Sequence, residues 1–452
     1  MDDDAGEREG FRALLRTFLA LERDVLVLSA AMFAFSLGFQ MTSRYVPRYM
    51  SVLGAGAVAI GLFGTFGNLI GAIYPYPGGA LSDRIGSRVA LTLFGLASTL
   101  GFVVWLFAEA FGVVAVPPVG TTVELLGREV VVGWLEPASI PVGIFLGLVL
   151  AQAWKSFGLG ATFAVVKQAL DPDQLATGFA STETFRRTAF LLGPLFAAGV
   201  LSAFAFETGF RVLLAVAAAF GLGATLAQHV LYDAGEDSLG KSFEGVSTVL
   251  EDLRAMPPAL RPLLAADTLV RFANGMVYVF FVIVVTEFLA VGVRLPVVGR
   301  LSPDAYFGVL LAIEMLVALA VMVPVSRLSR RVGLKPVVAL GFAVYAVFPV
   351  LLINAPENAA ALAALFAFSG LRFAGLPAHK ALIVGPAEAG TGGRATGSYY
   401  LLRNAVVIPS AAVGGAIYAV SPRAAFAGAT AVGLVGVGLF LAVGEDFEAA
   451  TA

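Results

Sequence analysis

Apolar residues in this chain run in long blocks, not at the two- or three-residue spacing of amphipathic elements. A block of about 18 residues or more is a candidate span, since roughly 20 residues at 1.5 Å each cross the hydrocarbon core. Such blocks lie at Val25–Tyr45, Val58–Pro77, Val89–Phe111, Pro141–Leu170, Leu175–Leu201 and Gly209–Leu231. A polar stretch follows, and then Leu263–Leu289, Tyr306–Val325, Pro336–Ile353, Ala359–Val384, Gly397–Val420 and Ala424–Val443. The pattern predicts an all-α integral membrane protein of about twelve transmembrane helices in two six-helix groups. It divides the chain into a tail (1–23), a first bundle (24–231), a linker (232–262), a second bundle (263–444) and a short tail (445–452).

Between spans three and four, GTTVELLGREVVVGW alternates about a turn at Gly127 and predicts a small β-hairpin outside the membrane. Before the first span, FRALLRTFLALER places Phe11, Leu14, Leu15 and Phe18 opposite Arg12 and Arg16, as in a short interfacial helix. Putting both termini inside leaves roughly sixteen of the 29 lysines and arginines in cytoplasmic segments and about seven outside. The expectation is a multi-pass protein of the cell membrane with both termini cytoplasmic.

Composition agrees with lipid as the solvent. Hydrophobic residues make up 59% and charged residues 13%, about half the charge of a soluble domain. A net charge of −2 argues against a nucleic-acid partner. The lack of cysteine removes thiol chemistry, and with only His229 and His379 a metal site is not expected. The start, MDDDAGEREG, is acidic where a cleavable signal needs positive charge. No cofactor is called for; the expected partners are lipid, a small solute and protons, with the chain a monomer.

The halves resemble each other. GGALSDRIGSR aligns with VSRLSRRVGLK, pairing Gly86 with Gly333 and Arg84 with Arg331, and the same register pairs Gly61 with Gly308. LATGF around Gly178 matches RATGS around Gly397, with a register difference that the hairpin loop accounts for. Duplication of this kind marks transporters whose halves rock about a midplane site. Gly61, Gly64, Gly67 and Gly71 form a small-residue stripe suited to close helix packing.

Gly79-Ala-Leu-Ser-Asp83-Arg84-Ile-Gly86-Ser-Arg88 resembles the G-x-x-x-D-R-x-G-R-R signature of the major facilitator superfamily, at the loop where that family carries it. The resemblance extends to the whole topology. It implies two pseudo-symmetric bundles, alternating access, and a conformational latch in which Asp83 meets the start of the eleventh span near Arg394. The second copy has Arg330 where Asp83 aligns, so the latch carries over to the first half alone. Lys155-Ser-Phe-Gly158-Leu-Gly160-Ala161 resembles the family's R-x-x-x-G-x-G motif, linked to proton coupling, with Lys for Arg and one residue nearer the glycine. GPLFAAG, from Gly193 to Gly199, partly resembles the antiporter motif and leans toward export.

Charges inside a membrane cost several kcal/mol and are candidates for function. Glu183–Arg187 and Asp267–Arg271 have the four-residue spacing of a neutralised helix face, and spacing alone leaves structural and functional roles open. Lys155, Arg186, Arg372 and Arg403 are cationic near mid-depth, and Glu314 is the leading acid without a sequence-local partner. Lys155 and Arg372 each precede a glycine by three residues, Gly158 and Gly375, and are expected to face one another across a central cavity. Excess positive charge there favours an anionic solute, with Gln152, Asn274, Tyr278, Tyr399, Tyr400 and Asn404 completing the wall. Glu183, Glu314 and Asp267 are the proton-coupling candidates.

Gly235 to Ser242 matches the phosphate-loop pattern G-x-x-x-x-G-K-S, but a spanning block precedes it and Glu236 and Asp237 repel phosphate, so the match is accidental. The absence of H-E-x-x-H, cysteine and G-x-S-x-G argues against an intramembrane enzyme. The reading is a secondary active transporter. Its rivals are a proton-coupled exporter of hydrophobic compounds and a receptor or scaffold sharing the topology.

Overall fold

The computed structural model describes residues 23–74, 81–82, 84–117, 119–125, 128–134, 138–169, 175–232, 257–258, 260–295, 299–373, 375–384 and 392–446. Among these, nine helices are long and apolar enough to cross a membrane, with two shorter apolar helices besides. The first half consists of α1 (Arg23–Thr42), α2 (Val46–Val52), α3 (Ala57–Ile73), α4 (Ser87–Leu106), α5 (Val142–Ala169), α6 (Leu175–Ala203) and α7 (Phe206–Leu231). The second consists of α8 (Leu260–Val277), α9 (Pro303–Val332), α10 (Leu334–Ile353), α11 (Ala359–Gly370), α12 (Leu376–Val384), α13 (Gly392–Val407), α14 (Ser410–Val420) and α15 (Pro422–Val443). Segments that read as one apolar block are often two helices in line. The pairs α1–α2, α11–α12 and α13–α14 each complete one passage, which restores the expected twelve crossings.

The breaks have local causes. Pro47, in the first turn of α2, has no N–H to bond back into α1, and Pro409 stands between α13 and α14. After α8 the chain tightens into a 3₁₀ turn (Tyr278–Phe280) and loosens into a π turn (Val284–Phe288). At three helix starts, side-chain caps accept the first free N–H groups. Ser302 caps α9, Asn358 caps α11 and Ser421 caps α15.

One end of the molecule carries the hairpins. Strands β2 (Val119–Leu125) and β3 (Arg128–Trp134) pair from Val119↔Trp134 to Leu125↔Arg128, as the alternation predicts. Gly127 itself lies outside the described residues. Two further pairings escaped the sequence reading: β1 (Val113–Val116) with β4 (Ala138–Pro141), and β5 (Val293–Leu295) with β6 (Gly299–Leu301). This end is called the hairpin face. The opposite end is called the linker face; the 11–22 segment and the 235–242 phosphate-loop look-alike lie outside the described residues.

Leucines at 93, 96 and 100 of α4 and valine 435 of α15 stand exposed on the outer surface, as lipid-facing positions should. The interior is aromatic. Tyr45 meets Phe307 edge-on at 5.6 Å, Phe307 meets Phe366 at 6.1 Å, and Phe366 meets Phe348 at 5.6 Å, a chain of rings that crosses between halves.

The glycine stripe of α3 records how the halves separate. A methyl group on Gly61 would lie 2.5 Å from the Ala411 carbonyl of α14, and one on Gly64 would lie 2.7 Å from the Ala411 side chain. Among the described residues, the nearest atom at Gly67 is 4.0 Å away and belongs to the same half, and at Gly71 nothing lies within 4 Å. Gly308, the repeat partner of Gly61, makes the matching contact on the other side, 2.5 Å from the Pro194 carbonyl of α6. Among the described residues, the halves therefore touch toward the hairpin face and make no such contact at Gly67 and Gly71, nearer the linker face. Side-chain bonds tie the closed end: Arg48 reaches Glu287 at 2.5 Å and Asp304 at 3.2 Å, Ser51 donates to Glu287 at 2.7 Å, and Tyr45 donates to the Asp304 carbonyl at 3.0 Å.

Candidate functional site

The repeated loops show their chemistry first. Gly86 sits at φ 86° before α4, and Gly333 at φ 87° before α10. This region is strained for any residue with a Cβ, which explains glycine at both positions. Two residues on, Arg88 donates through Nε to the His229 carbonyl at 2.6 Å, and Lys335 donates through Nζ to the Leu441 carbonyl at 3.0 Å. Both cations thus cap the last turn of the closing helix of their own half, where the helix dipole is negative. In the second half Asp446 adds an acceptor for the first N–H groups of α10, Leu334 at 3.0 Å and Lys335 at 3.2 Å. Arg84 is exposed. Gly79 and Asp83, and the side chain of Arg394, lie outside the described residues, so the latch contact is not on view.

Asp267 is the most heavily satisfied acid of the second half. It is fully buried on α8 and accepts from Arg271 one turn later at 3.2 Å, from Arg403 of α13 at 3.1 Å and from the Tyr399 hydroxyl at 3.2 Å. His379 Nε2 of α12 lies 3.3 Å from the same carboxylate. The i,i+4 pair read from the sequence is therefore real but forms only part of the cluster. His379 escaped the reading, because a lone histidine in an apolar block gives no spacing signal.

Glu314 corrects an expectation. The sequence left it unpaired, whereas in the structure it accepts from the Arg372 guanidinium and, at 3.2 Å, from the Ser369 hydroxyl. Arg372 is 4% exposed and lies between the Tyr345 and Phe373 rings, 5.1 Å and 4.8 Å from their centroids. It does not face Lys155 across open space, as its repeat-like position suggested. The 3₁₀ turn at Leu371–Phe373 between α11 and α12 places it inside its own half, against the buried carboxylate of α9. Its Nε is buried without a partner.

Lys155 does line a cavity. Its ammonium stands 4.9 Å above the Phe39 ring, and Arg186 of α6 stands 5.5 Å from the Phe190 ring, in a cavity of about 120 Å³ walled by Phe35, Phe39, Trp154 and Phe190. A second cavity of about 220 Å³ lies between the halves, where Asn68 of α3 faces Arg271, Asn274, Arg403 and Asn404. Arg403 lies 4.6 Å from the Tyr400 ring and donates to the Asn404 side chain at 2.9 Å. Gln152 is partly exposed close to Gly67. Arg44 joins the two regions. It sits in the break between α1 and α2, 4.3 Å from the Tyr278 ring, which occupies the corresponding break after α8. It also lies within electrostatic range of Lys155, Glu314 and Arg372. The sequence reading missed Arg44 because it ends an apolar block and resembles an ordinary loop charge. The side chain of Glu183 lies outside the described residues, while Arg187 reaches the Met322 sulfur at 3.5 Å.

Mid-depth between the halves is thus a polar, cation-rich space enclosed toward the hairpin face. Among the described residues no group of three or more acids and histidines could hold a metal ion. No family model matches the chain, and no curated protein does either. Solved structures do. A POT family transporter in complex with 5-aminolevulinic acid superposes with a TM-score of 0.71 at 13% identity, covering 95% of this chain and 99% of that one. A POT family transporter in complex with a thioalcohol-conjugated peptide gives 0.68 at 15% identity, covering 94% and 98%. The nucleoside transporter NupG gives 0.66 at 14% identity, covering 93% and 98%. At such identities the likeness is one of fold, and it extends over nearly the whole length of each chain: a multi-pass membrane protein of the major-facilitator-like, twelve-helix, two-bundle architecture.

Proposed function

We propose that the chain is a secondary transporter of the major facilitator type that carries a small anionic solute by alternating access. One observation carries the reading: the halves meet tightly at Gly61 and Gly308, whereas no described residue of the other half lies against Gly67 or Gly71, and a polar space bearing Arg271 and Arg403 lies between the halves. A receptor or scaffold has no need of such graded closure. Solute and ion binding would shift the balance between this packing and one closed at the other face.

The charge inventory supports an anion. Asp267 and Glu314 are each engaged by arginines within the second half, and Arg44 and Lys155, within electrostatic range of one another, add positive charge beside the space between the halves. Asp267 is one candidate for proton coupling. Protonating a carboxylate that holds Arg403 would free that guanidinium for the solute in the same cavity. Glu314 and Glu183 remain coupling candidates. Asp83 with Gly79, Arg84, Gly86 and Arg88 forms the latch that closes the linker face, both termini are cytoplasmic in the cell membrane, and the partial antiporter motif at Gly193 leans toward export.

Purified protein in proteoliposomes tests this. A panel of anions, amino acids, sugars and hydrophobic cations is offered with and without an imposed pH gradient. The expected result is flux of anions, accelerated by the gradient and abolished by Arg403→Ala with insertion intact. Flux of hydrophobic cations alone would favour the exporter alternative, and no flux of any solute would favour a receptor or scaffold.

A further inference from the structure

Trp154 and Lys155, adjacent on α5, form a recognition unit that the charge argument alone does not use. Trp154 is 7% exposed and stacks on Phe35 at 4.5 Å, and its backbone N–H is taken by Ser98 Oγ at 2.7 Å. Its indole N–H is buried with no acceptor. Buried indole donors ordinarily find a partner; in this chain Trp105 gives its own to the Ile144 carbonyl at 2.9 Å. An unmatched donor on the wall of a cavity calls for an acceptor brought from outside.

The same cavity supplies the charge for that acceptor. Lys155 has no carboxylate partner among the described residues, and the charges that act on it, Arg44 and Arg186, are both cations. No aspartate or glutamate is among the described residues that line the cavity. The remaining wall is mainly apolar, with Met32, Phe35, Phe39 and Phe190, and also carries the polar side chains of Ser36, Gln40 and Ser98. Its volume of about 120 Å³ is of the order that holds one ring, since an apolar cavity of about 150 Å³ takes benzene.

We propose that this cavity binds the apolar body of a small organic carboxylate, a single ring or short branched chain, whose carboxylate is held by Lys155 and the indole N–H of Trp154. The proposal rests on the transport reading and narrows it.

The test uses the full chain in detergent micelles, with benzoate as probe and benzyl alcohol and benzylamine as controls of equal body. Affinity is read by titration calorimetry and by ligand-dependent thermal shift. Benzoate is expected to bind at least about tenfold more tightly than benzyl alcohol, with benzylamine weakest. Lys155→Ala is expected to cost about tenfold or more, Lys155→Arg only a few-fold, and Trp154→Phe, which keeps the ring and removes the N–H, about fivefold. Equal affinity for the three probes, or benzoate affinity indifferent to Trp154→Phe and Lys155→Ala, overturns the proposal. Should Lys155→Ala not insert, Trp154→Phe decides alone. Flux of other solutes with Lys155→Ala unimpaired leaves the transport reading standing and removes this subsite. Benzoate binding without flux of any solute keeps the subsite and removes the transport reading.

Discussion

Substituting Gly61 with alanine probes the contact that closes the hairpin face. The added methyl would sit 2.5 Å from the Ala411 carbonyl oxygen and 2.9 Å from the Gly415 Cα. An unstrained carbon–oxygen approach is about 3.3–3.6 Å, so the gap must widen by roughly 0.8 Å or more. Both neighbours are backbone, and no rotamer change can relieve them; α3 and α14 must move apart. Overpacking of this kind costs about 1–3 kcal/mol, and it is borne only by the conformation in which these helices touch. The balance should then shift away from hairpin-face closure by about 5- to 150-fold. The chain has no cysteine, so spin labels at introduced Val52→Cys and Phe288→Cys, both exposed near the Ser51–Glu287 bond, report the gap by pulsed electron resonance. Gly61→Ala should move the distance distribution to longer values. Gly71→Ala, with nothing within 4 Å, should leave it unchanged. Identical distributions for the two variants would refute the reasoning.

Four further outcomes are expected. Glu314→Ala strands Arg372 in a buried site and should cost about 3–5 kcal/mol, read as a lowered melting temperature in detergent, while Glu314→Leu with Arg372→Met should recover most of the loss. Gly86→Ala and Gly333→Ala should each cost about 1–3 kcal/mol because of their positive φ, and similar losses at both would support the repeat. Asp267→Asn should uncouple flux from an imposed pH gradient while leaving counterflow of solute; coupling that persists would move the proton site elsewhere. Asp83→Asn should slow transport by loosening the linker-face latch, and unchanged rates with correct insertion would remove that role.

Much of the fold was legible because lipid imposes length and periodicity on every span. The Gly61–Gly308 and Gly86–Gly333 alignments identified positions that share a packing role and a backbone conformation. The site was less legible, for physical reasons. Sequence spacing reveals partners on one helix, such as Asp267 and Arg271, but not partners brought together across helices, such as Glu314 with Arg372 or Asp267 with His379 and Arg403. Arg44 looked like a boundary charge because the break after Thr42 is set by Pro47, and only the opposing break at Tyr278 turns that boundary inward. The 3₁₀ turn that withdraws Arg372 into its own half leaves no mark in the hydropathy.

The central claim is that a single mid-depth space communicates with both sides of the bilayer in turn. Asn274 lies on its wall, and in this cysteine-free chain an Asn274→Cys variant offers one thiol to membrane-impermeant reagents applied from either side of oriented proteoliposomes. Labelling from the linker side in the resting protein, and from the hairpin side as well when transported solute is supplied, is the predicted result. Labelling that stays confined to one side under every solute condition would contradict alternating access and the function built on it.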